Sequence, residues 1–361
     1  MFRRFAAVIL SAILLSPGWL GMTGMTLLIG FVPLLWVSAS YDDTRRSWWG
    51  MFGWATLAFV LWNVLTIWWI WYATPVGPPA ATLASTTMNM IAFMLFHTVS
   101  KKAPKALAYV TLVTAWITTE YWYTVGDFSW PWLILGNGFS HEVWAVQWYE
   151  YTGVFGGTLW VLLSNILIFE ALQARRSTRR WAAAACSVAL PMIASLCIWQ
   201  SWEQPDEGTA RVSVIQPNVD CYDKFHGDTQ RQERNIADLM AEVPAGAQFM
   251  AIISNDGLCG DTPGYKHLFS ISRLRAVEHR RAIARSANTG KSGFISARGD
   301  VGQTLGWEQR GVITAEVPLN SELTFYTRYG DCLARISEYI LLLSVLYYVA
   351  YRYKRRNHLV K

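Results

Sequence analysis

Apolar segments alternate with short basic clusters along most of the chain, and this alternation restricts the fold more than any single motif. The segments lie at about 5–15, 20–38, 49–72, 81–99, 106–124, 150–172, 181–199 and 338–351. Most approach the ~20 residues that cross a hydrocarbon core. Arg3 and Arg4, Arg45 and Arg46, Lys101, Lys102 and Lys105, Arg175 to Arg180, and Arg352 to Arg356 mark every second boundary. The intervening loops at 16–19, 73–80 and 126–147 contain no lysine or arginine. The positive-inside rule then predicts a polytopic α-helical membrane protein of about eight spans, with both termini cytoplasmic and residues 200–336 outside. Residues 1–199 form a seven-span helical domain on this reading, and 337–361 supply a last helix and a basic tail. No small-x-small step follows the first apolar run and a second run begins at once, so residues 1–15 are expected to be a retained span rather than a cleaved signal.

Composition agrees and excludes alternatives. Charged residues make up 16% of the chain, against about 25% in soluble proteins. The net charge of +6 is no nucleic-acid footprint, because residues 200–336 hold 15 Lys and Arg against 17 Asp and Glu. Six histidines show no metal-ligand spacing and five cysteines form no Cys-x-x-Cys pair, so neither a metal, a cofactor nor a disulfide framework is expected. Glu120 and Glu170 both fall near span ends, which gives a transporter reading no support.

The pattern changes after Pro205. RVSVIQPN (211–218) and QFMAIIS (248–254) read as strands, the second uniformly apolar as in a sheet covered on both faces. ERNIADLMAEV (233–243) has helical spacing, and residues 265–288 read as one long helix. SGFISARGD (292–300) and VITAEVPL (312–319) read as further strands. This order predicts an α/β layered domain, with 211–218 and 248–254 as adjacent parallel strands joined by the 233–243 helix. On the long helix Glu278 shares a face with Arg275, Arg281 and Arg285. The cluster is either a surface ion pair or a buried brace for the turn at Asn288, Thr289 and Gly290. The loop GDFSWPWLILGNGF (126–139) is either an aromatic belt or a half-inserted segment. In the second case Trp130 and Trp132 would shape a lipid entrance.

Several of these pieces together carry a resemblance: IQPN (215–218) with DKF (223–225), GAQFMAIISNDG (246–257), DTPGY (261–265), RLRAVEHRRAIARSANTG (273–290) and TFYTRYGD (324–331). With the span layout and PWLILG (131–136), they resemble the carbon–nitrogen hydrolase (nitrilase) fold, in the version carried by the apolipoprotein N-acyltransferase family. The resemblance implies an αββα sandwich on the periplasmic side of a bacterial inner membrane. It also implies phospholipid and diacylglyceryl-lipoprotein as substrates, and no cofactor. The implied reaction is a ping-pong transfer of an acyl chain to the lipoprotein's N-terminal cysteine amine. In the family a glutamate base generates a thiolate, and a lysine ammonium helps hold the oxyanion.

The family's Pro-Glu step after a second strand, its Pro-Phe-Gly-Glu segment behind the lysine, and its Cys-Tyr-Glu step ahead of QFMAIIS are all absent here. About 137 residues lie outside, where a two-sheet domain of this kind needs roughly 200–250. The domain is therefore expected to be incomplete, with a seam near 240–246, and no catalytic residue is identifiable. Cys259 stands where the family carries a loop tryptophan, so it is not the expected nucleophile. Cys221 beside Asp223 and Lys224 is not expected to form a working trio either, and Cys332 reads as a buried small residue. Substrate-side or site-shaping candidates are Gln216, Asn218, Asn255, Asp256, Arg275, Glu278, Asn288 and Thr289.

Overall fold

The computed structural model describes residues 1–125, 131–216 and 248–358. A helical bundle is built by α1 (Phe2–Leu15), α2 (Leu27–Gly30), α3 (Val32–Ala39), α4 (Arg45–Ile67), α5 (Gly77–Lys102), α6 (Lys105–Val125), α7 (Tyr149–Thr152), α8 (Val154–Gln173) and α9 (Thr178–Ser201). The outer segment follows, with β1 (Thr209–Gln216), β2 (Met250–Ser254), α10 (Pro263–His279), β3 (Ile283–Ala287), β4 (Ser292–Ile295), β5 (Val301–Leu305), β6 (Gly311–Pro318) and α11 (Phe325–Tyr329). The last helix, α12 (Cys332–His358), returns to the bundle and packs on α6.

Among the described residues, six helical stretches are long and apolar enough to cross a membrane. They are Phe2–Trp19, Arg45–Tyr72, Gly77–Lys102, Val154–Gln173, Thr178–Ser201 and Cys332–Asn357. On α9 and α12 many apolar side chains are exposed, among them Leu190, Ile193, Leu342, Leu343 and Leu346. Lipid is the solvent that suits such a surface. The other two expected spans are qualified. α6 has the length, but five threonines and Glu120 lower its hydropathy. The segment at 20–38 contracts to Leu27–Ala39 and breaks at Phe31, with Pro33 in the first turn of α3. Asn165 on α8 repairs that break. Its Oδ1 accepts the amides of Phe31 (2.7 Å) and Val32 (3.1 Å), and its Nδ2 donates to the Leu27 carbonyl (2.7 Å). Apolar surroundings would otherwise leave those groups unsatisfied.

The segment from Pro131 is drawn into the bundle as short 3-10 turns (Pro131–Leu133, Leu135–Phe139, Val143–Ala145), with Leu135 and Phe139 fully buried. Glu120 holds it there: its carboxylate accepts the Leu135 amide (2.8 Å), the Trp116 indole (3.0 Å) and the Thr158 hydroxyl (2.6 Å). Gly136 lies so close to the Val154 carbonyl that no side chain would fit.

The outer strands form two sheets. β1 pairs antiparallel with β6, and the other sheet runs β2-β3-β4-β5, with β2 parallel to β3 and the remaining pairs antiparallel. Val214 and Val317 from the first sheet pack on Ala284 and Phe294 of the second. On the opposite face Met250, Ile252, Ile283 and Ile295 meet Phe269 and Ala276 of α10. The order of layers is helix, four-stranded sheet, two-stranded sheet.

Three expectations are corrected here. The strands at 211–218 and 248–254 are not neighbours: each pairs with a later strand, and they belong to different sheets. The proposed connecting helix at 233–243 lies outside the described residues, as does the seam at 240–246. The helix expected over 265–288 ends at His279, because Arg280 adopts φ 48°, ψ 44° and closes it in the left-handed conformation. Residues 283–287 are instead strand β3, and glycine, the usual residue for such a stop, is missing from the signal. Finally, β2 is covered on one face only. Met250 and Ile252 are buried while Ala251 and Ile253 are exposed, Ile253 by 81%.

Candidate functional site

The parallel strands β2 and β3 end side by side, and in α/β sheets the loops beyond such carboxyl ends are where ligands bind. Here those loops carry Asn255 and Asp256 on one strand and Asn288 and Thr289 on the other. Asp256 is buried and pairs with Arg285 of β3 at 2.6 Å. Arg285 also donates to the hydroxyls of Ser272 (2.8 Å) and Ser254 (3.1 Å) and to the Leu268 carbonyl (3.3 Å). Ser254 in turn donates to Asp256. The Asn288 side chain donates to Asn255 Oδ1 (3.3 Å), and its backbone amide donates to the Ser254 carbonyl (2.9 Å). Gly290 crosses so near Asp256 that a Cβ would lie 2.5 Å from the aspartate's own. Nearby, the Lys291 ammonium sits 4.7 Å from the Phe269 ring centre.

Four of the candidates, Asn255, Asp256, Asn288 and Thr289, are therefore brought together. Arg275 and Glu278 are not among them. They lie at the far end of α10, three to four turns from its start, and form an i,i+3 pair at 2.9 Å in which Glu278 is fully buried and Arg275 partly so. The wider cluster expected around Glu278 is not formed. Arg285 has turned to Asp256, and Arg281 donates to the carbonyls of Glu322 (2.6 Å) and His279 (3.2 Å). The break at Arg280 explains the difference, since residues beyond it no longer follow helical spacing. Burial pushes the Glu278 carboxyl up to about 8, against the pull of the Arg275 guanidinium. Gln216 closes β1 opposite Gly311, but its side chain, like Asn218, Trp130 and Cys221, lies outside the described residues.

Trp132 is buried under the start of α10, its ring centre 4.7 Å from that of Trp69 and 5.0 Å from that of His267. Its carbonyl accepts the Trp19 indole at 2.7 Å. This aromatic layer joins bundle to outer segment, and Gly264 rests against the Trp69 ring with no room for a side chain. At the other end of α10, Arg280 donates to Glu150 (2.6 Å) and Gln147 (2.7 Å) of the bundle, both inside the contact. Arg273 reaches the Ser140 carbonyl (3.2 Å). Sequence reasoning missed Arg280 and Arg285 as organising residues. The available signal was a lone arginine in the alternation IARSA, because a charge in a buried strand needs a partner.

Burial lowers His267 and His279 to about 3 each. Both are thus held neutral in the fold, while the unfolded chain would protonate them near 6.5. The stability they contribute is complete above pH 6.5 and is lost as pH falls from there toward 3. Glu278, raised to about 8, acts in the opposite sense over the same range, so the histidine effect is read as a difference: from pH 7.5 to 5 the unfolding midpoint of the His267→Phe variant should shift upward relative to the wild type's. Parallel profiles would mean that His267 does not titrate on unfolding.

The buried Cys259 caps the β2 loop, its carbonyl accepting the Thr262 hydroxyl at 2.8 Å. Among the described residues no group of three or more His, Cys, Asp or Glu side chains is placed to hold a metal ion. The strand-end network can orient a polar group and supply donors, but its one carboxylate is already neutralised by Arg285.

Residues 11–167 match the family described as Apolipoprotein N-acyltransferase N-terminal domain, and residues 221–323 match Carbon-nitrogen hydrolase. The apolipoprotein N-acyltransferase of Chlorobaculum tepidum is 22% identical over 484 aligned positions, covering 85% of this chain and 89% of that protein. The proteins of the same name from Geobacter metallireducens and Rhizobium meliloti are 32% and 36% identical over 130 and 104 positions. Those two matches take in 36% and 29% of this chain, but only 22% and 18% of the relatives' length. These matches, over a layered α/β segment carried on a bundle of apolar helices, make the chain a member of the nitrilase superfamily. Within that superfamily the chain belongs to the apolipoprotein N-acyltransferase family.

Proposed function

We propose that this chain sits in a bacterial inner membrane in the manner of an apolipoprotein N-acyltransferase, but does not complete acyl transfer. The family reaction moves an acyl chain from phospholipid to the N-terminal cysteine amine of a diacylglyceryl-lipoprotein. In this chain the outer segment, residues 200–336, faces the periplasm and both termini are cytoplasmic, as the basic clusters require. The observation that carries the reading is the alignment with the Chlorobaculum protein. It needs 484 positions to accommodate 85% of a 361-residue chain, so well over a hundred positions of the relative face gaps. The Glu–Lys–Cys trio belongs to the part of the family pattern that this sequence lacks. The exposed Ile253 on the face of β2 turned toward the other sheet suits an incomplete sandwich.

A second reading, a lipid- or lipoprotein-binding partner without catalysis, is favoured by the contact between bundle and outer segment. Arg280, Gln147 and Glu150 are all buried there, so α10 and its loops remain positioned over the membrane. Purified protein supplied with phospholipid and a diacylglyceryl lipopeptide tests both readings. No N-acyl lipopeptide is expected, and retention of the lipopeptide on the immobilised chain supports the binding role. Turnover lost on mutation of Cys221, Cys259 or Cys332 would overturn the first reading.

A further inference from the structure

The face that carries both termini contains a cavity of about 410 Å³ between the α3–α4 loop, the end of α5 and the end of α12. Basic residues from three separate boundaries meet in it: Arg45, Lys101 with Lys102, and Arg352. Two of these cations are committed. The Lys101 ammonium donates to the carbonyls of Ser38 and Tyr41, each at 2.8 Å, and Lys102 pairs with Asp43 at 3.5 Å. On the other side of the loop, Arg4 donates to the Ser40 carbonyl and hydroxyl, each at 2.9 Å, and lies 3.9 Å from the Tyr41 ring centre. The loop forming one wall is thereby fixed before any ligand arrives.

Arg45 and Arg352 are exposed and have no carboxylate partner among the described ion pairs. The cavity therefore offers two uncommitted guanidinium groups, the group type suited to phosphate oxygens. Its rim is aromatic. Trp48 stacks on Phe52 at 5.7 Å and meets Trp49 edge-on at 4.9 Å, and Trp49 is exposed. Tryptophans beside arginines at the end of an apolar helix mark the level of lipid headgroups. A soluble phosphate would use the guanidinium groups and gain nothing from that rim, whereas a lipid would use both.

We propose that this cavity binds the headgroup of an anionic phospholipid in the leaflet opposite the outer segment. Such a lipid would fasten the α3–α4 loop to α12 without taking part in any acyl transfer. The proposal does not depend on whether the chain is catalytic.

Native mass spectrometry of the detergent-purified full chain, titrated with phosphatidylglycerol or phosphatidylcholine, tests it. Phosphatidylglycerol should bind the wild type more tightly than phosphatidylcholine. The Arg45→Gln, Arg352→Gln double variant should lose affinity by about fivefold per cation, roughly 25-fold together. Asp43→Asn, which removes the competing carboxylate and frees Lys102, should tighten binding by about fivefold. That gain cannot arise from misfolding. Equal binding of the two lipids, or phosphatidylglycerol affinity unchanged in both variants, would overturn the proposal. Displacement of the lipid by inorganic phosphate at matching concentration would overturn it too, in favour of a soluble phosphate site.

Discussion

Replacing Arg280 with alanine is expected to destabilise the protein by about 3–5 kcal/mol, the usual cost of leaving one partner of a buried ion pair uncompensated. Arg280 is buried where the outer segment meets the bundle, and it is the cation that answers Glu150 at 2.6 Å. It also donates to Gln147 Oε1 (2.7 Å) and lies 5.1 Å from the Trp202 ring centre. A second effect separates two variants. The residue holds a left-handed backbone, φ 48°, which alanine bears at a cost and glycine does not. Arg280→Gly should therefore be less damaging than Arg280→Ala by roughly 1 kcal/mol, although both lose the pair. Thermal unfolding in detergent, with protease cleavage of residues 200–336 as a second readout, gives the order wild type, glycine variant, alanine variant. An alanine variant as stable as the wild type would mean that this contact does not hold the outer segment in place.

The second large effect is expected at the strand ends. Asp256→Ala leaves Arg285 charged in a dry site, again a loss of about 3–5 kcal/mol. The double variant Asp256→Ala, Arg285→Met should recover much of it, because a buried pair replaced by apolar groups is often close to neutral. Non-additivity of this kind identifies a pair that acts as a unit. If the two single losses simply add, then Asp256 and Arg285 are not energetically coupled, and the network around Ser254, Asn255 and Asn288 has another centre.

Much of this architecture is legible from local signals. The bundle follows from apolar length and basic clusters, and helical segments stand at the expected places from Phe2 to Ser201 and again at the C-terminal end. The second span is the exception, since Pro33 and the repair by Asn165 are tertiary matters that hydropathy cannot register. In the outer segment β1, β2, β4 and β6 fall in the runs read as strands, whereas β3 and the polar β5 (VGQTL) do not, and the pairing of β1 was misjudged. Strand partners depend on long-range packing, here Val214 and Val317 on Ala284 and Phe294. The extent of α10 was overestimated for a related reason. RAIARSAN continues helical spacing past Arg280, and its turn into β3 is fixed by pairing with β2, register Met250 with Ile283 through Ser254 with Ala287. The site was legible as far as Asn255, Asp256, Asn288 and Thr289. Arg285 was hidden by the helix assignment, and Glu278 was drawn toward the site by spacings that cross the break.

The central proposal is that this chain, although of the apolipoprotein N-acyltransferase family, does not take up an acyl group. Intact-mass and peptide mass spectrometry after incubation with phospholipid tests it directly, because the family mechanism must pass through a thioester. The account predicts no acyl adduct on Cys221, Cys259 or Cys332. A hydroxylamine-sensitive acyl adduct at any of these three would contradict it.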